Sequence, residues 1–192
     1  MEKLKDADVR EVLLEKLQVK HGEEPDTLII NEMGVCLGQS RVDIAVVNGV
    51  IHGYEIKSES DTLSRLPTQM LDYNKVFDKV TIVTADDYLE KVKEMIPDWW
   101  GIIVVTNKKG QARMKYAKRG RKNPSQDPYS LVQLLWRDEV LTLLKEKGLH
   151  QGILSKPKNV LYERLVEKIP MVELKQLVNQ TLKSREGWRV HE

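Results

Sequence analysis

The sequence has too little cysteine to build a disulfide framework or a zinc site. Cys36 is the single cysteine, so no disulfide can form within the chain, and its four histidines show no zinc-ligand spacing. No apolar stretch is long enough to cross a bilayer, and residues 1–16 do not have the uninterrupted apolar segment of a signal peptide. We therefore expect a cytoplasmic protein without a membrane segment.

A dominant net charge is also missing. The 31 basic and 29 acidic side chains nearly cancel to +2, so only their distribution is informative. One stretch, residues 108–122, carries eight basic residues and no acid: Lys108, Lys109, Arg113, Lys115, Lys118, Arg119, Arg121 and Lys122. This composition suits a loop that follows the phosphates of a nucleic acid, although a solvated loop without a ligand would look the same.

What the chain does contain is a mixed pattern of helices and strands. Periodicity predicts a first helix over residues 6–18, three strands, and then alternating helices and strands to residue 106. The strands are predicted at 27–33, 41–47, 50–58, 80–84 and 101–106, and the helices between them at 67–77 and 86–95. This order indicates an α/β fold with a mixed central sheet flanked by helices.

The last third of the chain is predicted to be helical. Turn-forming residues at 123–128 suggest a boundary between a core of residues 1–122 and a helical C-terminal extension of residues 123–192. Helices are predicted at 129–147, 159–168 and 170–185. We expect this extension to pack on or beside the core.

Two acids and a lysine lie on the predicted hairpin at Asn48-Gly49. Asp43 lies early in one strand and Glu55 late in the other, so the turn brings them together, and Lys57 shares a face with Glu55. A plain two-residue loop would put the two acids on opposite faces. A shared site therefore requires a three-residue loop, such as 47–49 with glycine in the left-handed position, or a bulge at Gly53. Val42, Ile44, Val46, Tyr54 and Ile56 would then share the packing face.

Convergent carboxylates beside a lysine suit the hydrolysis of a phosphodiester. Mg²⁺ or Mn²⁺ held by carboxylates can neutralise the phosphate and make a water nucleophilic. Alone, however, Glu-x-Lys is common on exposed strands.

Taken together with the predicted order of helices and strands, these residues resemble the PD-(D/E)XK nuclease superfamily. Asp43 and Glu55-Ile56-Lys57 match its core motif, with Val42 where the motif has proline. Gln69 and Tyr73 match the Gln-x-x-x-Tyr motif of RecB-like members, and Glu32 matches an upstream acid of those nucleases. The resemblance covers about residues 27–106 and implies a restriction-endonuclease-like core.

The resemblance implies a role for each of these residues. Asp43, Glu55 and the main-chain carbonyl of Ile56 would bind the metal, with Glu32 as a further ligand, and Lys57 would orient or deprotonate the attacking water. Gln69 and Tyr73 would hold the site or contact a phosphate. Apart from the resemblance, Arg65 lies just before the helix that carries Gln69 and is a candidate phosphate contact. The expected partner is nucleic acid, most readily DNA, and cutting both strands of a duplex would call for a homodimer.

Two other classes of function are compatible with the sequence. The chain could retain the nuclease fold as a weakly catalytic module that binds nucleic acid or protein through its basic stretch and C-terminal helices. It could also use the same acids in another metal reaction on a small molecule, although no glycine-rich cofactor loop accompanies the strands.

Overall fold

A six-stranded mixed sheet organises the protein in a computed structural model that describes residues 4–108 and 111–186. The strands lie side by side in chain order: β1 (Leu28–Val35), β2 (Ser40–Val47), β3 (Ile51–Lys57), β4 (Lys79–Ala85), β5 (Gly101–Lys108) and β6 (Gln111–Lys118). The first three strands are antiparallel, β3, β4 and β5 are parallel, and β6 runs antiparallel to β5.

In the described part of the chain, seven α-helices cover the two faces of this sheet unequally. They are α1 (Asp6–His21), α2 (Leu66–Val76), α3 (Leu89–Met95), α4 (Pro128–Val132), α5 (Arg137–Glu146), α6 (Lys158–Lys168) and α7 (Met171–Ser184). On one face α1 packs its apolar stripe of Val9, Leu13 and Leu17 against Ile44 and Tyr54. The other helices contribute to the core of the opposite face. With both faces covered, β4 is buried along nearly its whole length.

The C-terminal helices share the core of the sheet. Leu131, Leu161 and Val178 belong to the same buried cluster as Val80 and Ile82. The proposed division at residue 122 into two domains stays a prediction.

The hairpin between β2 and β3 has the odd loop that the sequence required. Val47 pairs with Ile51, which leaves the three residues 48–50 in the loop, and Gly49 has a φ of 81°. The prediction of a three-residue loop with a left-handed glycine is confirmed, one residue later than the 47–49 example. Gly53 forms no bulge but pairs regularly with Ala45. A Cβ at this position would approach the Phe77 ring to 3.1 Å, which explains the glycine.

The neighbouring strands β1 and β2 both twist beside Asp43, so that the side chains beyond this point face the opposite side of the sheet. In β2, Val42 and Ala45 are buried in the same cluster although strict alternation would place them on opposite faces, and in β1 Ile30 and Met33 behave likewise. Glu32, which lies in the turned part of β1, has a φ of 54°, a left-handed conformation that strains a residue with a side chain. The expectation that Val42 shares a face with Ile44 is therefore wrong.

Two predicted segments differ in the structure. The basic stretch is not a loop, because residues 111–118 form the edge strand β6. Ala112 and Met114 of β6 alternate with Arg113 and Lys115 and pack against the cluster under α1.

The single helix predicted over 129–147 is two helices, α4 and α5. Trp136 adopts an extended conformation before α5, and its N–H donates to Glu139 Oε2 at 2.6 Å. This caps the new helix without the serine or threonine that would have marked its start.

Among the described residues, no helix is long and apolar enough to cross a membrane.

Candidate active site

A polar pocket of about 280 Å³ opens where β3 ends and β2 begins. Acidic and basic side chains from α1, β1, β2, β3 and the segment before α2 surround it. The lining residues are Asp6, Arg10, Glu32, Arg41, Asp43, Glu55, Ile56, Lys57, Asp61, Arg65 and Gln69. The structure thus brings Asp43, Glu55 and Lys57 to one cavity.

The carboxylate of Asp43, a residue of β2, reaches toward β3 and replaces a main-chain hydrogen-bond acceptor. The β2–β3 pairing reaches Ile44 and Tyr54, and beyond it the Ile56 N–H donates to Asp43 Oδ2 at 2.7 Å. The local turn of β2 at Asp43 accompanies this arrangement, in which the carboxylate points toward β3. Asp43 is thereby fixed beside the strand that carries Glu55.

Glu55 accepts hydrogen bonds from three side chains that surround its carboxylate. Its side chain is 2% exposed, and its Oε1 accepts hydrogen bonds from Lys57 Nζ at 2.5 Å and Gln69 Nε2 at 2.7 Å. The Tyr73 hydroxyl lies 2.7 Å from the other oxygen, Oε2. Gln69 and Tyr73 lie one turn apart on α2, so one helix face holds both oxygens of this carboxylate.

Tyr73 is fully buried and links Glu55 to the backbone of β2. Its hydroxyl lies 2.7 Å from both Glu55 Oε2 and the Arg41 carbonyl oxygen. A single O–H serves two acceptors, which places Tyr73 at the junction between the two strands that carry the acids.

Burial and mutual repulsion raise the pKa of Glu55. Desolvation is the largest cause and the nearby charge of Asp43 adds to it, while Lys57 and the Tyr73 hydroxyl act in the opposite direction. The pKa of Asp43 is also raised by burial, against the lowering effect of the Ile56 N–H and of Arg10. Both carboxyl groups therefore carry a cost of desolvation that a bound cation would relieve.

Arg10 of α1 is the main site residue that the sequence did not reveal. Its Nη2 donates to Asp43 Oδ1 at 2.7 Å and its Nη1 to the Asp43 carbonyl at 3.0 Å. Its Nε donates to Asp6 Oδ2 at 3.2 Å, four residues earlier on the same helix. The spacing of Asp6 and Arg10 is a visible signal of a helix pair, but nothing in the sequence places that pair against Asp43.

The other predicted residues of the pocket lie at its rim. Glu32 lines the pocket and pairs with Arg41 at 3.2 Å. Arg65 is exposed and precedes α2. Within residues 4–108 and 111–186, no three His, Cys, Asp or Glu side chains are grouped closely enough to hold a metal. Glu32 as a third carboxylate ligand therefore stays a prediction, and the donors near one another are Asp43, Glu55 and the main chain of Ile56.

The basic residues predicted to bind nucleic acid follow the far edge of the sheet. Lys108 ends β5, Arg113, Lys115 and Lys118 lie in β6, and Arg119, Arg121 and Lys122 follow it; Lys109 lies outside the described residues. Lys57 is level with Thr84, Val104 and Lys115 in the register of successive strands. Three strand spacings separate Lys57 from Lys115, or about 14 Å. The structure thus separates these residues from the pocket rather than placing them in it.

Comparison with known proteins identifies the family. The model of the family described as bacteriophage P4 protein cII matches residues 1–189. The chain belongs to the phage P4 cII family. Protein cII of Enterobacteria phage P4 is 30% identical over 190 residues, which cover 96% of this chain and 69% of that protein.

Among solved structures, SfsA of Pyrococcus furiosus in complex with Ca²⁺ superposes in part on this member of the cII family. The overlap has a TM-score of 0.34 at 13% identity and covers 60% of this chain and 64% of SfsA. This overlap is too weak to establish a shared fold. The name of the cII family describes no chemistry, so the side chains of the pocket are the guide to function.

Proposed function

We propose that this protein is a metal-dependent nuclease that hydrolyses DNA phosphodiester bonds and that its core is restriction-endonuclease-like. One observation carries the proposal. Asp43 and Glu55, from neighbouring strands, line one pocket with Lys57, and Gln69 and Tyr73 hold the buried glutamate in place. Such convergence of carboxylates with a lysine suits phosphodiester hydrolysis with Mg²⁺ or Mn²⁺.

The donors in the pocket fit a hard divalent cation. Mg²⁺ is commonly held by one or two carboxylates, with waters and substrate phosphates completing its coordination. Asp43, Glu55 and the Ile56 carbonyl would supply the protein ligands. Each oxygen of a carboxylate can accept more than one bond, so the contacts of Glu55 leave capacity for a metal. When bound, the ion would neutralise the phosphate and acidify a water.

The remaining side chains of the pocket have roles that follow from their contacts. Lys57 would orient or deprotonate the attacking water, while its bond to Glu55 keeps the ammonium group at the pocket. Gln69 presents a buried amide oxygen that has no protein donor within the described part of the chain, which leaves it available to a water or a ligand. Tyr73 fixes Glu55, and Arg65 at the rim would contact a phosphate of the substrate.

A second candidate is a nucleic-acid-binding module without strong catalysis. The observation that favours it is that both carboxylates already pair with cations of the protein: Asp43 with Arg10 and Glu55 with Lys57. The basic strand β6 would then provide the binding surface through its contacts to phosphates. The two candidates differ in whether DNA is cleaved when metal is present.

A cleavage assay with point variants tests the proposal. The purified chain is incubated with labelled single-stranded and duplex DNA and with RNA, in Mg²⁺, in Mn²⁺ and in EDTA. We expect metal-dependent cleavage of DNA that Lys57→Met reduces by at least about a hundredfold, the scale of a lost general acid or base. Asp43→Asn should also reduce cleavage strongly, because it removes a charged ligand of the metal. Lys91→Met, the same change on the exposed surface of α3, is the matched control and should retain full activity.

The pattern of results separates the two candidates. Salt-sensitive binding without cleavage of any substrate would favour the binding module and refute the nuclease. Cleavage that survives in both Asp43→Asn and Lys57→Met would point to a contaminating enzyme. Cleavage of RNA alone would keep the site but change the substrate.

A further inference from the structure

The guanidinium group of Arg10 occupies the side of Asp43 that faces away from the Ile56 N–H. Arg10 donates to both the side chain and the main-chain carbonyl of Asp43, and its own side chain is 21% exposed. The other carboxylate oxygen, Oδ2, is bonded to the Ile56 N–H. A metal at Asp43 must therefore share an oxygen with one of these donors or displace Arg10.

Both carboxylates of the proposed metal site are already paired with cations of the protein. Asp43 pairs with Arg10, which also pairs with Asp6, and Glu55 pairs with Lys57. A divalent cation that entered alone would compete with these pairs and would meet the like charge of Arg10. Repulsion between charges a few ångströms apart near a protein surface exceeds the thermal energy several times. The free protein should hold the metal weakly for this reason.

A phosphodiester changes this balance because it brings negative charge into the pocket. We propose that Arg10 makes metal binding depend on a phosphate-bearing ligand, so that the metal and the nucleic acid bind cooperatively. Arg10 is thus a positioning residue that acts through Asp43. The inference rests on the proposed function, since it presumes a metal at Asp43 and Glu55. Linkage then requires that the metal strengthens nucleic-acid binding by the same factor.

Titration of Mn²⁺ tests this coupling without a measurement of activity. Free Mn²⁺ is followed by electron paramagnetic resonance in the full chain, alone and with a phosphorothioate oligodeoxynucleotide, with Mn²⁺ binding to the oligonucleotide itself subtracted. The variants are Arg10→Gln, which removes the charge, and Arg10→Lys, which keeps it. Lys16→Gln is the matched control, because it makes the same change in charge on the exposed surface of the same helix.

Removal of the charge should strengthen metal binding by the free protein. We expect Arg10→Gln to raise its Mn²⁺ affinity about tenfold, equivalent to about 1.4 kcal/mol, and to reduce the gain that the oligonucleotide produces. Arg10→Lys should restore the wild-type gain, and Lys16→Gln should leave both affinities unchanged. A merely structural role for Arg10 would weaken Mn²⁺ binding in Arg10→Gln and would not be rescued by lysine.

Failure of this inference and failure of the proposed function give different results. Unchanged or weaker Mn²⁺ binding in Arg10→Gln, with binding still abolished by Asp43→Asn, would overturn the role of Arg10 and leave the metal site standing. No Mn²⁺ binding by the wild-type protein, with or without the oligonucleotide, would overturn both. If Arg10→Gln does not fold, Arg10→Lys decides, because loss of the oligonucleotide-dependent gain despite a retained charge would refute the coupling.

Discussion

Replacing Tyr73 by phenylalanine removes one oxygen atom from the junction between the two acid-bearing strands. The Tyr73 ring is fully buried, so phenylalanine can fill the same space and the change leaves packing largely intact. The hydroxyl, however, lies 2.7 Å from both Glu55 Oε2 and the Arg41 carbonyl. Its loss leaves one oxygen of a buried carboxylate and one carbonyl with fewer donors.

The size of the effect follows from these two acceptors. A hydrogen bond to a charged group contributes about 1.5–3 kcal/mol and one between neutral groups about 1 kcal/mol. Because one O–H is shared between the two acceptors, Tyr73→Phe should lower the free energy of unfolding by about 1.5–3 kcal/mol at pH 8, the range for one bond to a charged group. Tyr162→Phe is the matched control, because Tyr162 is 2% exposed and donates a single bond of 2.9 Å to the Leu135 carbonyl. Its cost should be about 1 kcal/mol.

The pH dependence makes the test specific for Glu55. The Tyr73 hydroxyl lowers the pKa of Glu55, against burial and the charge of Asp43, which raise it. Removal of the hydroxyl raises that pKa further, so the variant loses most stability where Glu55 is ionised and less where it is protonated. Urea unfolding at pH 8 and at pH 4.5 measures both values. An equal cost for Tyr73→Phe and Tyr162→Phe at both pH values would refute the contact with ionised Glu55.

Two further predictions concern residues outside the pocket. Both ring nitrogens of His52 are hydrogen-bonded, one to Thr81 and the other to Tyr54. Burial and nearby lysines lower the pKa of His52 to about 3. In the unfolded chain this histidine is therefore protonated first as the pH falls below about 6.5. The free energy of unfolding should fall by up to about 2 kcal/mol between neutral pH and pH 5. If the stability of His52→Gln depended on pH as that of the wild-type protein does, this prediction would be contradicted. Replacing Arg113 and Lys115 by glutamine should weaken DNA binding and reduce the slope of log affinity against log salt by about 0.9 for each phosphate that the variant no longer neutralises; an unchanged slope would mean that β6 does not face DNA.

The arrangement of Asp43 and Glu55 was the part of the site most open to prediction. Strand alternation allows two outcomes: the two acids share a face of the sheet or lie on opposite faces. Whether the loop has an odd or an even number of residues decides between them, so a shared site required an odd loop. The observed loop at residues 48–50 has that parity. Hairpin geometry is local, and local rules decide it with little help from the rest of the chain.

Tertiary packing determined the features that could not be predicted. Arg10 is one turn of helix away from Asp6, but only the docking of α1 on the sheet shows that it reaches Asp43. The sequence predicts a loop where the edge strand β6 lies, because the basic residues mask a period-two pattern in which Ala112 and Met114 cover the cluster under α1. The alternation in β6 can be interpreted only when the apolar cluster under α1 is known, and the sequence does not show that cluster.

The twist of β1 and β2 beside Asp43 adds a constraint that the parity of the loop alone does not contain. In a regular ladder a main-chain carbonyl of β2 would be available to the Ile56 N–H, whereas here the Asp43 carboxylate accepts that hydrogen bond. The left-handed Glu32 lies in the turned part of β1, and such strain persists only where the surrounding structure enforces it. The strained Glu32 and Asp43 thus lie in the same part of the sheet, and the charge of Asp43 raises the pKa of Glu55. A protein selected for stability alone would have little reason to keep two such acids together, and this cost is the physical argument for a site that binds a cation.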